Sequence, residues 1–311
     1  MSFTSRPTLR RRGFAVAATA TVLALTLAAC GSSKDSSGSS TAAKDHGAKA
    51  SASSSATTGG MDHGSMPGMD HGGMGDGLAD AKDGYKLSSG TGELPAGKDS
   101  AYRFTITAPD GKPVTGFAVD QTKRMHFYAI RSDLTGFQHV HPAMAADGTW
   151  TADLAALRPG TWRMFASFTP DNGPGKGKDF VLSRTVTVPG DAKPTPLPGA
   201  ATSAEADGYT ATVKGDLMAG MTHPMTVAIS KDGKPVTDLQ PYLETYAHLT
   251  AFHEGDGAFA HLHPQTKVNG DRGGPELSFQ TMLPKSGNWR LFLQFQTGGK
   301  LHTAALTLRV S

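Results

Sequence analysis

Six histidines fall into two matched sets. Met125-His126 is followed, after twelve intervening residues, by His139-Val140-His141-Pro142. Ala247-His248 is followed, again after twelve, by His261-Leu262-His263-Pro264. Half of the chain's 12 histidines therefore occupy corresponding positions. A neutral imidazole offers a nitrogen lone pair to borderline metals, so the chemistry to expect from such a grouping is metal ligation.

The elements that must position these side chains are strands. In H-x-H both rings leave the same face of a strand, roughly 7 Å apart at two residue rises, near enough to reach one ion. His126 belongs to the preceding run, Met125 to Ile130, and a polar turn (Ser132, Asp133, Leu134, Thr135, Gly136) leads into the H-x-H strand. If the two runs form an antiparallel hairpin with an even-length loop, His126 shares the face of His139 and His141. His248 is placed likewise with His261 and His263, across Glu254-Gly255-Asp256-Gly257. Three imidazoles without a thiolate suit Cu(II) or Zn(II). The competing reading makes the histidines structural, with H-x-H-P shaping a strand end; against it, most neighbours differ between the copies while all six histidines and both prolines coincide.

From Gly84 onward short apolar alternations are separated by Gly, Pro and Asp-Gly turns, which predicts an all-β chain of sandwich type. Internal matches divide it in two. Asp83-Gly84-Tyr85 corresponds to Asp207-Gly208-Tyr209, Asp110 to Thr115 corresponds to Asp232 to Thr237, and Gly160-Thr161-Trp162 corresponds to Gly287-Asn288-Trp289. Domains are expected over 84–188 and 205–311, joined by a Pro/Ala-rich linker over 189–204. Trp162, Met164, Ala166 and Phe168, like Trp289, Leu291, Leu293 and Phe295, alternate along a strand and read as core. Met218, Met221 and His223 near a turn read as structural ahead of a soft Cu(I) site, and His46, His253 and His302 receive no role.

Arg6, Arg10, Arg11 and Arg12 precede an apolar run from Phe14 to Ala29, as in a secretory signal over 1–29. The run ends in Leu27-Ala28-Ala29-Cys30, which resembles the lipobox of bacterial lipoproteins; the resemblance implies cleavage before Cys30, its lipidation, and an extracytoplasmic position on the cell membrane. Arg11-Arg12-Gly13-Phe14 leaves twin-arginine export open. Taking the 4 signal arginines from 30 basic residues leaves 26 against 27 acidic ones, and with no basic excess a nucleic-acid partner is not expected. Cys30 is the single cysteine, so neither an intrachain disulfide nor thiolate ligation of zinc is available.

Residues 30–83 are dominated by Ser, Ala, Gly and Lys and predict a flexible tether. Within it, Met61, His63, Met66, Met69, His71 and Met74 punctuate a repeated M-D-H-G-x-M. Thioethers favour Cu(I), imidazoles Cu(II) or Zn(II). The stretch resembles the Met/His-rich segments of bacterial copper-resistance proteins. The tandem domains, through their H-x-H-P strands, resemble the immunoglobulin-like, cupredoxin-adjacent modules of the YtkA or CopC kind found in extracytoplasmic metal handling at actinobacterial-type cell surfaces. That resemblance implies metal binding and copper handling; from the ligand types zinc is the second metal expected, and an envelope metal-handling protein is the expected partner beside the membrane. A blue-copper centre is excluded because its cysteine ligand is lacking. Two other classes compete: an envelope interaction or adhesion module with structural histidines, and a copper enzyme, which two H-x-H motifs and no catalytic carboxylate pair leave unsupported.

Overall fold

The computed structural model describes residues 75–262 and 264–311; the signal, Cys30, the tract from Met61 to Met74 and His263 lie outside them. Among the described residues every regular element is a β-strand. The first module runs through β1 (Ala81–Lys82), β2 (Tyr85–Ser88), β3 (Ser100–Thr107), β4 (His126–Arg131), β5 (Phe137–Val140), β6 (Ala143–Met144), β7 (Thr149–Leu154), β8 (Gly160–Phe168) and β9 (Phe180–Val188). The second runs through β10 (Ser203–Ala206), β11 (Tyr209–Lys214), β12 (Thr222–Lys231), β13 (Lys234–Pro235), β14 (Ala247–His253), β15 (Phe259–Leu262), β16 (Glu276–Met282), β17 (Gly287–Thr297) and β18 (Lys300–Val310). In the first module the sheet β1-β2-β3-β7-β6 is paired with the sheet β5-β4-β8-β9. In the second, β10-β11-β12-β13, with β16 also on β12, accompanies β15-β14-β17-β18. Two tandem immunoglobulin-like sandwiches result.

Sequence patterns explain the local geometry. Asp83-Gly84 and Asp207-Gly208 place both central residues at positive φ, 50° and 82° in one and 52° and 80° in the other. Such turns match the right-handed twist of the strands they join, so β1–β2 and β10–β11 close as two-residue hairpins. The alternating residues of β8 and β17 enter the two sandwich cores, and each core tryptophan is anchored alike: Trp162 Nε1–H donates to the Arg158 carbonyl at 2.8 Å, and Trp289 Nε1–H to that of Lys285 at 2.9 Å.

The first module begins before the expected boundary. β1 precedes Gly84, the Asp76 carbonyl accepts the Phe259 N–H at 2.9 Å, and Gly77 is buried, with a Cβ there falling 2.7 Å from Val181 Cγ1. Leu78 packs on the core of the second module. A lone leucine in a polar stretch escapes a compositional reading, yet Leu78 is docked within the segment expected to be tether. The linker is fastened as well. Arg131 pairs with Asp133 while donating to the carbonyls of Pro159 and Lys193, and Asp133 accepts the Thr195 N–H at 3.0 Å.

Alternation on a single face does not describe β4 or β14. All six residues of β4 are buried, as are the first six of β14. Phe127 and Ala129 enter one sandwich core and Leu249 and Ala251 the other. The opposite faces meet in a third apolar cluster containing Tyr128, Ile130 and Phe165 of the first module and Phe252, Phe259 and Phe292 of the second. Phe137 lies flat on Phe292, centroids 4.2 Å apart. The modules thus share an apolar interface, and the histidine strands lie in it.

Candidate metal centre

β4 and β5 pair antiparallel, Phe127 opposite Val140 and Tyr128 opposite His139, so His126 projects to the side of His139 and His141. Ligand nitrogens of these three rings all lie within 4.8 Å of one another. β14 and β15 repeat the register, Leu249 opposite Leu262 and Thr250 opposite His261. His248 and His261 stack at 10°, with His248 Nδ1 3.5 Å from His261 Nε2.

The two sets face each other. Ring centroids of His126 and His248 are 6.1 Å apart, those of His126 and His261 5.8 Å, and those of His139 and His248 5.7 Å. His126, His248 and His261 are at most 5% exposed. Sequence periodicity placed three imidazoles on one face of a hairpin; that this face is covered by its own duplicate is a property of the tertiary structure.

Hydrogen bonding fixes the tautomers in the first set. His126 Nε2 lies 3.1 Å from the Asp120 carbonyl, which only accepts, so Nε2 carries the proton and Nδ1 a lone pair. His139 Nδ1–H donates to Gln294 Oε1 at 2.8 Å, leaving the lone pair on Nε2. The two unprotonated nitrogens, His126 Nδ1 and His139 Nε2, stand 3.1 Å apart. Facing lone pairs at that distance repel unless a cation lies between them. Burial holds both rings below the ordinary imidazole range, His139 well below it, and the charges of His141, His126 and His248 add to the effect at His139. A proton is therefore disfavoured as that cation near neutral pH.

Several supporting residues carry no motif. Gln294 belongs to β17 of the second module, opposite His248, and reaches across to orient His139, the kind of contact that sets a ligand's tautomer. Tyr128 stacks on His139, centroids 4.4 Å apart and planes 20° apart. The carbonyl that holds His126 comes from a strained turn in which Gln121 and Thr122 have φ of 45° and 67°. In the second module Leu243 and Glu244 have φ of 53° and 62° at the corresponding place, and Tyr242 packs against His248 at 5.3 Å. A β-branched residue such as Thr122 rarely adopts positive φ, so the turn retains a cost in both copies despite unrelated sequences. Only the register relative to each histidine reveals the correspondence.

The remaining candidates lie apart. Met225 is in the second core, while Met218 and Met221 are 42% and 53% exposed. His253 bonds Asp256 and the Ser286 carbonyl, closing its hairpin. His302 joins Asp207 at 2.7 Å and Thr297 Oγ1 at 3.0 Å, and Thr297 Oγ1 meets Tyr209 OH at 2.7 Å. That order of groups resembles a nucleophile relay, but the threonine is 5% exposed and its hydroxyl is engaged on both sides.

Burial of the imidazoles has a pH consequence. Unfolded histidines titrate near 6.5, whereas burial, with the charges of His126 and Lys123, lowers His141 to about 4, and His126 and His139 are also lowered. On acidification the unfolded chain takes up protons first, so stability falls as pH drops from about 6.5 toward 4. The metal-free protein should melt at a lower temperature at pH 5.0 than at 7.5, above the range where carboxylates contribute, and His141→Gln should flatten that dependence.

Strand order and duplicated cores define the class: a tandem immunoglobulin-like β-sandwich protein. The chain belongs to the family described as a domain of unknown function (DUF8832), whose model matches residues 79–188 and again 204–311. No curated protein matches it in sequence. Among solved structures it is similar to the Escherichia coli adhesin FdeC, with 15% identity, 74% of this chain and 65% of that chain covered, and a TM-score of 0.22. It is also similar to fibronectin(III)-like modules of Clostridium thermocellum CbhA (12%, 73% and 94%, TM-score 0.20). A third similarity is to the N-terminal Ig1-2 module of the Drosophila receptor protein tyrosine phosphatase DLAR (8%, 73% and 98%, TM-score 0.20).

Proposed function

We propose that this is an extracytoplasmic metal-binding protein, anchored to the cell membrane through a lipid on Cys30, that captures copper and hands it on without catalysing a reaction. The observation that carries this reading is the 3.1 Å approach of His126 Nδ1 to His139 Nε2, with the Asp120 carbonyl and Gln294 Oε1 occupying their other nitrogens. Nitrogens bound at the usual metal distances of about 2.0–2.1 Å in a tetrahedral site stand about 3.3 Å from each other. The donor set thus fits a cation, with His141 as third ligand.

All-imidazole ligation suits Cu(II) and Zn(II), and affinity order among divalent metals favours copper. The tract ending at Met74 adds thioether donors only two residues before Asp76, which bonds Phe259 in the interface cluster. It would collect ions ahead of the folded part along the chain. Transfer to an envelope metal-handling partner completes the reading, and no nucleic acid is involved. The His302 chain has no accessible nucleophile, so it supports structural use over catalysis.

Equilibrium dialysis of residues 31–311, prepared without a histidine tag, tests this. Copper should bind stoichiometrically with residues 61–74 deleted, and the double variant His139→Ala/His141→Ala should lose most of that binding while its circular dichroism stays that of a β-protein. Unchanged binding by the double variant would show that the metal sits elsewhere, and the histidines would then be structural elements of an interaction module.

A further inference from the structure

The proposed function requires one metal site; the arrangement of the second module asks for more. Building on that site, we infer that the two modules together form a single dinuclear centre, one ion held by His126, His139 and His141 and a second, beside it across the module interface, held by His248 and His261.

The two half-sites share the same pairing of ring nitrogens. In each, the Nδ1 of the strand histidine faces the Nε2 of the first H-x-H histidine, at 3.1 Å in the first module and 3.5 Å in the second. These values lie on either side of the spacing of two nitrogens on one tetrahedral ion. Each pair is thus spaced as a chelate. Among the described residues, the set of ligand atoms mutually within 4.8 Å contains His126, His139 and His141 and stops there. Ligands of one ion can be at most about 4.2 Å apart, twice a metal–nitrogen distance. His248 and His261 therefore have their own ion rather than completing the first one's coordination.

The half-sites are nonetheless adjacent. Cross-module centroid distances of 5.7 to 6.1 Å are close to the within-module distances of 5.4 Å for His126–His139 and 5.7 Å for His248–His261. Gln294 ties them mechanically, being the β-ladder partner of His248 and the hydrogen-bond partner of His139. Occupancy of one half-site should consequently be felt at the other, and separation of the modules would take from His139 the Gln294 contact that sets its tautomer.

Cu(II) added stepwise to residues 31–311 carrying His63→Ser and His71→Ser, followed by electron paramagnetic resonance, distinguishes the possibilities. The expected result is two equivalents bound, with a dipole-coupled spectrum and half-field intensity growing in with the second. His248→Gln should bind one equivalent and show no half-field signal, with folding checked by its melting transition. Two equivalents with a simple additive spectrum, or saturation at one equivalent, overturns the dinuclear centre and leaves the single site standing. Failure to bind Cu(II) at all overturns the single site as well.

Discussion

Phe252→Ala is expected to destabilise the folded chain by about 3–5 kcal/mol, the usual cost of emptying a fully buried phenylalanine site. Phe252 has no exposed surface and packs within 6.1 Å, centroid to centroid, of Phe137, Phe165, Phe259 and Phe292, so it occupies the middle of the contact between the modules. No sandwich core lies on that side of β14. The loss should therefore appear as weakened coupling of the two modules, and urea unfolding should resolve into two transitions where the parent shows one. Copper retention should fall too, although no ligand has been touched, because Gln294 and the second histidine pair are held against the first by this cluster. A single transition shifted by less than 1 kcal/mol would mean that the interface contributes little to folding.

The second large effect is on metal affinity. His126→Ala removes one of the two nitrogens between which the ion is placed, and should weaken Cu(II) binding by at least about 100-fold, since loss of a mere supporting contact around a metal already costs 10–100-fold. Calorimetric titration reads this directly. The rise in melting temperature on adding copper should shrink in parallel, because a ligand selective for the folded state stabilises it in proportion to RT ln(1 + [L]/Kd). His302→Ala, which alters a buried histidine outside the cluster, should leave the affinity unchanged while lowering stability through its lost bonds to Asp207 and Thr297. If His126→Ala binds copper as the parent does, the 3.1 Å contact has another cause.

Much of this arrangement was legible in the sequence. The period-two alternation through Trp162 and Trp289 located the two cores, because core strands with one buried face must alternate. The twelve-residue spacing of each histidine to its H-x-H located the hairpins, and the observed pairing of Tyr128 with His139 puts the three rings on one side. What stayed hidden depends on contacts distant in sequence. His-Phe-Tyr-Ala-Ile-Arg is buried on both faces, and nothing local says that Tyr128 and Ile130 are covered by Phe259 and its neighbours. Gln294 is one glutamine among several until β17 carries it opposite His248 and within reach of His139. The paired turns at Gln121–Thr122 and Leu243–Glu244 share a backbone conformation with no residue in common, and sequence comparison registers residues, not φ. Leu78 was lost in a segment whose average composition is polar.

Anomalous diffraction at the copper absorption edge, from crystals of residues 31–311 grown with Cu(II), addresses the metal site without intermediaries. The principal peak should lie between His126 Nδ1 and His139 Nε2, within bonding distance of both, with a second peak beside His248 and His261. Peaks confined to the Met61–Met74 tract or the surface, with the 3.1 Å contact between the two rings intact and vacant, would contradict metal binding by the sandwich modules.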